Sequence, residues 1–201
     1  MDKDTIKAGL KEAIYQRRST RAYTDQPVPD SIIEEIIEAG QHAPSASNGQ
    51  KSHFFVISNV EKRAELRAIM TKVIAAIPEN DNLPPVFLKL IQRAKEEEVD
   101  VSYGAPVIIV TTNAKGSPNA FADTACALEN MMLTASANQV GNCWLNQFLM
   151  LRDAPPVKEF FAGIGVGEDL EVCGALAVGY PVEALETAPL PRTGNQVTYI
   201  R

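Results

Sequence analysis

Between Ser117 and Gln139 the chain runs "SPNAFADTACALENMMLTASANQ", and almost every residue in it is small or apolar. Ala122, Ala125, Cys126, Leu128, Met131, Met132 and Ala135 leave no broad polar face. A helix that is apolar nearly all round cannot lie on a surface, so it must be central and covered on several sides. Ser117 suits an N-cap and Pro118 the first helical position. The helix is expected from there to about Gln139, with Cys126 as packing.

The rest of the chain supplies what could cover it. "HFFVIS" (53–58), "APVIIVTTN" (105–113) and "VCGALAVGYP" (172–181) are strand-length apolar or β-branched runs. "NCWLNQF" (142–148) reads as a short strand or turn. Ile6, Leu10 and Ile14 recur every four residues, which predicts an amphipathic helix over 4–16. Asp30 is suited to cap a second helix carrying Ile32, Ile33, Ile36 and Ile37, with Gly40 and Pro44 ending it. Asn59 caps a third over roughly 60–75, and "APPVKEFFAGIG" forms another closed by Gly163. Residues 76–103, a loop "IPENDNLPP" followed by a short charged helix, read as a variable and mobile insertion. The tail, 182–201, is polar, contains Pro189 and Pro191, and has no core pattern. A length of 201 residues suits one domain, or one compact α/β unit.

Charge narrows the function classes. The formal net charge is −6, which argues against general nucleic-acid binding and against a polybasic membrane patch. Apolar runs such as "PVIIV" are too short to span a bilayer. The charged N-terminus lacks the apolar core of a secretory signal. Three cysteines without a CxxC, and two histidines, argue against a disulfide framework or a structural zinc site and leave a reducing cytoplasm as the default.

Against that acidic background, "QRRSTRAY" places Arg17, Arg18 and Arg21 around Ser19 and Thr20. Guanidinium forks match phosphate oxygens bidentately, and a serine hydroxyl adds a donor. The alternative is a solvated basic turn at a helix C-terminus, where cations suit the dipole. The second polar stretch, "APSASNGQ", joins a buried-type helix to a strand. Its amides offer donors and acceptors together, as a flavin or nucleobase edge requires, although a plain connecting loop has the same composition. No G-x-G-x-x-G or P-loop occurs.

The order of these segments resembles the FMN-dependent nitroreductase family: "RRSTRAY", a helix, "APSASNGQ" before "FFVI", "APVIIV", the apolar helix, "GNCWLNQF", and "VGYP" with an Arg-bearing tail. The resemblance covers nearly the whole chain except 76–103. It implies an α+β fold with a mixed, mostly antiparallel central sheet flanked by helices. It also implies a homodimer whose C-terminal tail is exchanged between subunits. A polar extension of this kind cannot build its own core and needs a surface to lie on.

By position, the resemblance implies that Arg17, Arg18, Ser19 and Arg21 hold the FMN phosphate and ribityl chain, with Arg21 reaching the flavin ring. Pro44, Ser45, Ala46 and Asn48 match the loop that the other subunit lays against the ring. Leu145, Asn146 and Gln147 match the segment along the ring edge near N5, and Arg192 the C-terminal phosphate ligand. Gln50-Lys51-Ser52 replaces the family's frequent Gln-Pro-Trp, Asn146 and Gln147 stand where glycines are common, and Leu190 occupies a frequently basic position. The implied activity is transfer of hydride from NAD(P)H through flavin N5 to a nitroaromatic, a quinone or a similar small acceptor. Ene reduction, dehalogenation, flavin breakdown, or flavin binding with little turnover stay open on the same fold.

Overall fold

The computed structural model describes residues 2–184 and 188–201. Seven α-helices, one short 3-10 turn (Ala46–Asn48) and four strands occur among them. The helices are α1 (Lys3–Gln16), α2 (Asp30–Gln41), α3 (Val60–Ala75), α4 (Pro85–Glu96), α5 (Ala120–Ala137), α6 (Asn146–Met150) and α7 (Pro155–Gly163). The strands are β1 (His53–Ile57), β2 (Val107–Ala114), β3 (Gly141–Trp144) and β4 (Leu170–Gly179). They form one sheet in the order β1-β2-β4-β3, and every neighbouring pair is antiparallel. The parallel component is a single bridge, Ser19 to Asn142, on the free side of β3.

Strand alternation sends side chains into two cores, one per face. Ile108, Val110, Ala175 and Ala177 face a core shared with α3, α4 and α7. Val107, Ile109, Leu176 and Val178 face α2 and α5. Helix α5 sits close because Gly174 is beneath it: a Cβ there would come within 2.8 Å of Leu128 Cδ1.

Several local expectations shift. Asp30 is the first residue of α2 and not its cap; Pro29 takes that place without a side-chain bond, and the carboxylate still favours the helix N-terminus. Gly40 lies inside α2 rather than after it. It is buried, and a Cβ would overlap the Met131 side chain, so it serves close α2–α5 packing. Ser117 and Pro118 form a turn, with the Ser117 carbonyl accepting from Ala120 N–H at 3.1 Å, and α5 starts at Ala120. "NCWLNQF" divides into β3 and the start of α6.

The 76–103 segment is integrated into the body. Ile91, Ala94, Val99 and Val101 are buried in the first core. Lys95 Nζ meets Glu79 Oε1 at 2.6 Å, and Arg67 Nε meets Glu98 Oε1 at 2.6 Å.

Helix α5 is central but not fully covered. Thr124, Ala127, Leu128, Met131, Met132 and Ala135 are buried, whereas Phe121, Ala122 and Cys126 are exposed. Cys126 is therefore not core packing within one chain. Helix α1 buries no residue, and Ile6, Leu10, Ile14 and Tyr15 are all exposed.

Candidate functional site

The arginine segment is held against the sheet by its backbone. Past the end of α1, Thr20 N–H donates to the Asn142 carbonyl at 2.8 Å, beside the Ser19–Asn142 bridge. Asn142 is itself fixed, because its Nδ2 donates to Met132 O at 3.1 Å and Ser136 Oγ at 3.0 Å near the end of α5. Thr20 is buried while Ser19 and Arg21 are exposed, and Arg17 and Arg18 are half-buried. Tyr23 anchors the far end, donating its hydroxyl to Thr20 O at 2.9 Å. Burial pushes the Tyr23 phenol well above its ordinary value, so it stays a neutral donor.

Among the described residues, none of Arg17, Arg18, Arg21 or Arg192 pairs with a carboxylate, whereas Arg67, Arg93 and Arg152 all do. Among the described residues the cluster is therefore a positive patch without a carboxylate partner, on an acidic protein. It acts on its surroundings. Burial raises the Cys143 thiol above its usual range, while the charges of Arg21 and Arg17 and a bond from Ser19 oppose the rise. Arg18 differs from its neighbours. Its Nη1 donates to Tyr15 O at 2.8 Å and Arg17 O at 2.9 Å, and its Nη2 donates to Ala188 O in the tail. Its Nε and the Thr20 Oγ1 are buried and have no partner among the described residues. Arg21 Nη1 makes one long bond, to Ser19 O at 3.5 Å. Three guanidiniums within five residues, held by few and partly long bonds, form a donor set that fits a dianionic phosphate.

The second stretch, Pro44–Gln50, is a tight exposed loop. Ser47, Asn48 and Gln50 have φ of 52°, 52° and 49°. Non-glycine residues in this left-handed region cost about 1–3 kcal/mol each, with Asn tolerating it best. Internal bonds hold the shape: Gln50 N–H donates to Ser45 Oγ at 3.0 Å and Gln50 Nε2 to Asn48 Oδ1 at 3.1 Å. Ala46 N–H reaches Asp123 Oδ1 on α5 at 3.1 Å. The loop borders a polar hollow of about 700 Å³ that also takes in Gln41, His42, His53 and Asp123.

Sheet register separates the two halves. The loop enters β1 at His53, which pairs with Thr112 and, through it, Val172. The clamp lies beside Asn142, which pairs with Val178. That is the whole width of the sheet, about 14 Å, and six residues along β4, about 20 Å. A single chain thus holds the two halves at opposite corners of its sheet. The 145–147 segment, by contrast, follows β3 and shares its edge with the clamp. Leu145 is buried, with its N–H on Ala175 O at 2.8 Å; Asn146 is exposed and Gln147 half-buried. Arg192 lies in the exposed tail.

Two residues of this arrangement have weak sequence signals. Asp123 is the first-turn carboxylate of an otherwise apolar helix, and Asn142 is a polar residue in a short strand. Only the fold shows what they bind. His53 stacks on Phe55, and His42 lies 3.9 Å from Glu38 on the surface.

The chain is an α+β protein with a cluster of arginines at one edge of its sheet and a polar loop at the other. Comparison with known proteins identifies its family. The Nitroreductase family model matches residues 14–180. A solved nitroreductase from Bacteroides fragilis, carrying bound FMN, is 30% identical with a TM-score of 0.84, covering 96% of this chain and 98% of that one. A nitrobenzene nitroreductase from Ectopseudomonas oleovorans is 25% identical, across 79% of this chain and 86% of its own. An Archaeoglobus fulgidus protein, provisionally named NADH dehydrogenase/NAD(P)H nitroreductase, is 27% identical over 84% of this chain and 83% of its own. The chain belongs to the Nitroreductase family.

Proposed function

We propose that this protein is an FMN-dependent oxidoreductase that moves a hydride from NAD(P)H to a small acceptor such as a nitroaromatic or a quinone. The observation that carries the reading is the uncompensated arginine cluster bonded to the edge of β3. Family membership and the FMN in the Bacteroides relative support it. When bound, FMN supplies two-electron chemistry at its N5 atom.

The chain's own residues bind and orient. Arg17 offers its fork to the phosphate, and the Ser19 hydroxyl turns to it from Cys143. Arg18, with both Nη atoms on carbonyls, adds charge and not an open fork. Arg21 brings positive charge toward the ring system, where it stabilises negative charge on the reduced cofactor. Leu145 contributes backbone only, because its side chain is in the core. Asn146 and Gln147 shape the ring edge. Arg192 reaches a phosphate through the tail. No side chain serves as acid or base.

Two protomers build each site. The clamp of one and the Pro44–Asn48 loop of the other meet one flavin, a reading that the opposite-edge placement in a single chain supports. The exposed stripes on α1 and α5 supply an apolar interface of the kind permanent dimers use. The tail, with Val197, Tyr199 and Ile200 exposed, lies across the partner. Three free thiols suit a reducing cytoplasm. No described helix is long and apolar enough to cross a membrane.

The test is the visible spectrum of the purified protein, followed by anaerobic mixing with NADH and NADPH and steady-state turnover with a quinone. Flavin absorbance that bleaches with a nicotinamide and returns with the acceptor is expected. Flavin that neither nicotinamide reduces would refute the oxidoreductase reading.

A further inference from the structure

We infer that Asp123 is a positioning residue whose carboxylate fixes the Pro44–Gln50 loop in the place from which it meets the flavin. The inference rests on the FMN-binding reading above. Among the described residues, the bond from Ala46 N–H to Asp123 Oδ1, 3.1 Å long, is the one hydrogen bond tying this loop to another element. Every other bond of the loop is internal: Asn48 N–H to Ser45 O at 2.9 Å, Gly49 N–H to Ala46 O at 3.0 Å, and the two from Gln50. The internal bonds set the loop's shape. They do not set where that shape sits, and an exposed loop built from left-handed residues has other conformations close by.

The placement of Asp123 suits that task. It lies in the first turn of α5, where a carboxylate is favoured by the helix dipole and accepts without donating. The same helix holds the other half-site, since Met132 O and Ser136 Oγ near its end accept from Asn142, the residue that carries the arginine segment. One helix of 18 residues, about 27 Å long, thus fixes both recognition elements of a protomer relative to each other. It is the frame against which a partner's two elements must register.

The test compares the wild type with Asp123→Ala and Asp123→Asn. Three quantities are measured: FMN affinity of the deflavinated dimer, the visible circular dichroism of the bound flavin, and amide exchange at Asn48, Gly49 and Gln50. Asp123→Ala should bind FMN about tenfold more weakly, as for loss of a hydrogen bond to a charged group. It should also alter the flavin dichroism and speed exchange in the loop. Asp123→Asn should restore all three, because its amide oxygen still accepts from Ala46 N–H. Wild-type affinity and dichroism in Asp123→Ala overturn the inference. So does equal damage in both variants, which would assign the effect to charge and not to the bond. A wild type that binds no FMN overturns the functional reading itself, and this inference with it.

Discussion

Thr20 gives its backbone N–H to the carbonyl of Asn142 at 2.8 Å, and this contact turns a run of arginines into an edge of the sheet. Without it, Arg17, Arg18 and Arg21 would be mutually repelling charges on a solvated turn. With it, they stand in a fixed row beside β3, with no ion pair among the described residues, next to the 145–147 segment. Anion binding then needs no rearrangement of the backbone.

Replacing Arg17 by Ala removes a free fork. FMN affinity should fall ten- to a hundredfold, because a bond to a charged group contributes about 1.5–3 kcal/mol. Thermal stability without flavin should be unchanged. Fluorescence titration of the deflavinated protein measures both constants, and equal affinities would remove Arg17 from the phosphate site.

Leu10 sits on the exposed apolar stripe of α1. Leu10→Glu buries no charge within one chain but would place one in the proposed interface. The variant should sediment as a folded monomer and lose flavin, while the wild type sediments as a dimer at micromolar concentration. A flavin-bearing wild-type monomer would contradict the shared-site arrangement.

Turnover should be ping-pong. No second nucleotide motif is present, so nicotinamide and acceptor would use one open face in turn. Double-reciprocal plots at several acceptor concentrations should be parallel. Intersecting lines would require a ternary complex. Asn146 and Gln147 bear on the outcome, since in the proposed site their side chains would narrow an edge that glycines would leave open, and Gln147→Gly should lower KM for bulky acceptors.

Alkaline pH should weaken the fold through Cys173. Burial raises this thiol from about 9.0 to about 11, so the unfolded chain loses its proton first as pH rises. The stability tied to the neutral thiol is complete below pH 9 and is lost between about 9 and 11. Melting temperatures across that window should fall less steeply for Cys173→Ala. Identical slopes would show that Cys173 is not among the groups responsible.

Much of the fold was legible because periodicity reports burial. Strands β1, β2 and β4 and helix α1 lie where their apolar patterns put them, and α3 starts where the Asn59 cap puts it. Caps were less so: Asp30 and Ser117 have the right chemistry, but Pro29 and the 117–120 turn set where the chain becomes helical. Gly40 looked like a terminator because its close approach to Met131 is a tertiary fact. The apolar circumference of α5 announced cover on several sides, yet one chain covers only part of it, and Cys126 is left exposed. In the site, the arginines were visible as a charge anomaly. The role of Arg18 was not, because its carbonyl partner at Ala188 is 170 residues away. Asp123 was silent for the same reason.

The clamp and the loop occupy opposite corners of one sheet, and this has a genetic consequence. A protomer damaged only in its clamp and a protomer damaged only in its loop are each useless with a copy of themselves. Mixed together as the proposed dimer, they complement one another: one pocket collects both lesions, and the other is built entirely from intact parts. Half the sites of each mixed dimer return, with no chain in the population carrying a sound sequence.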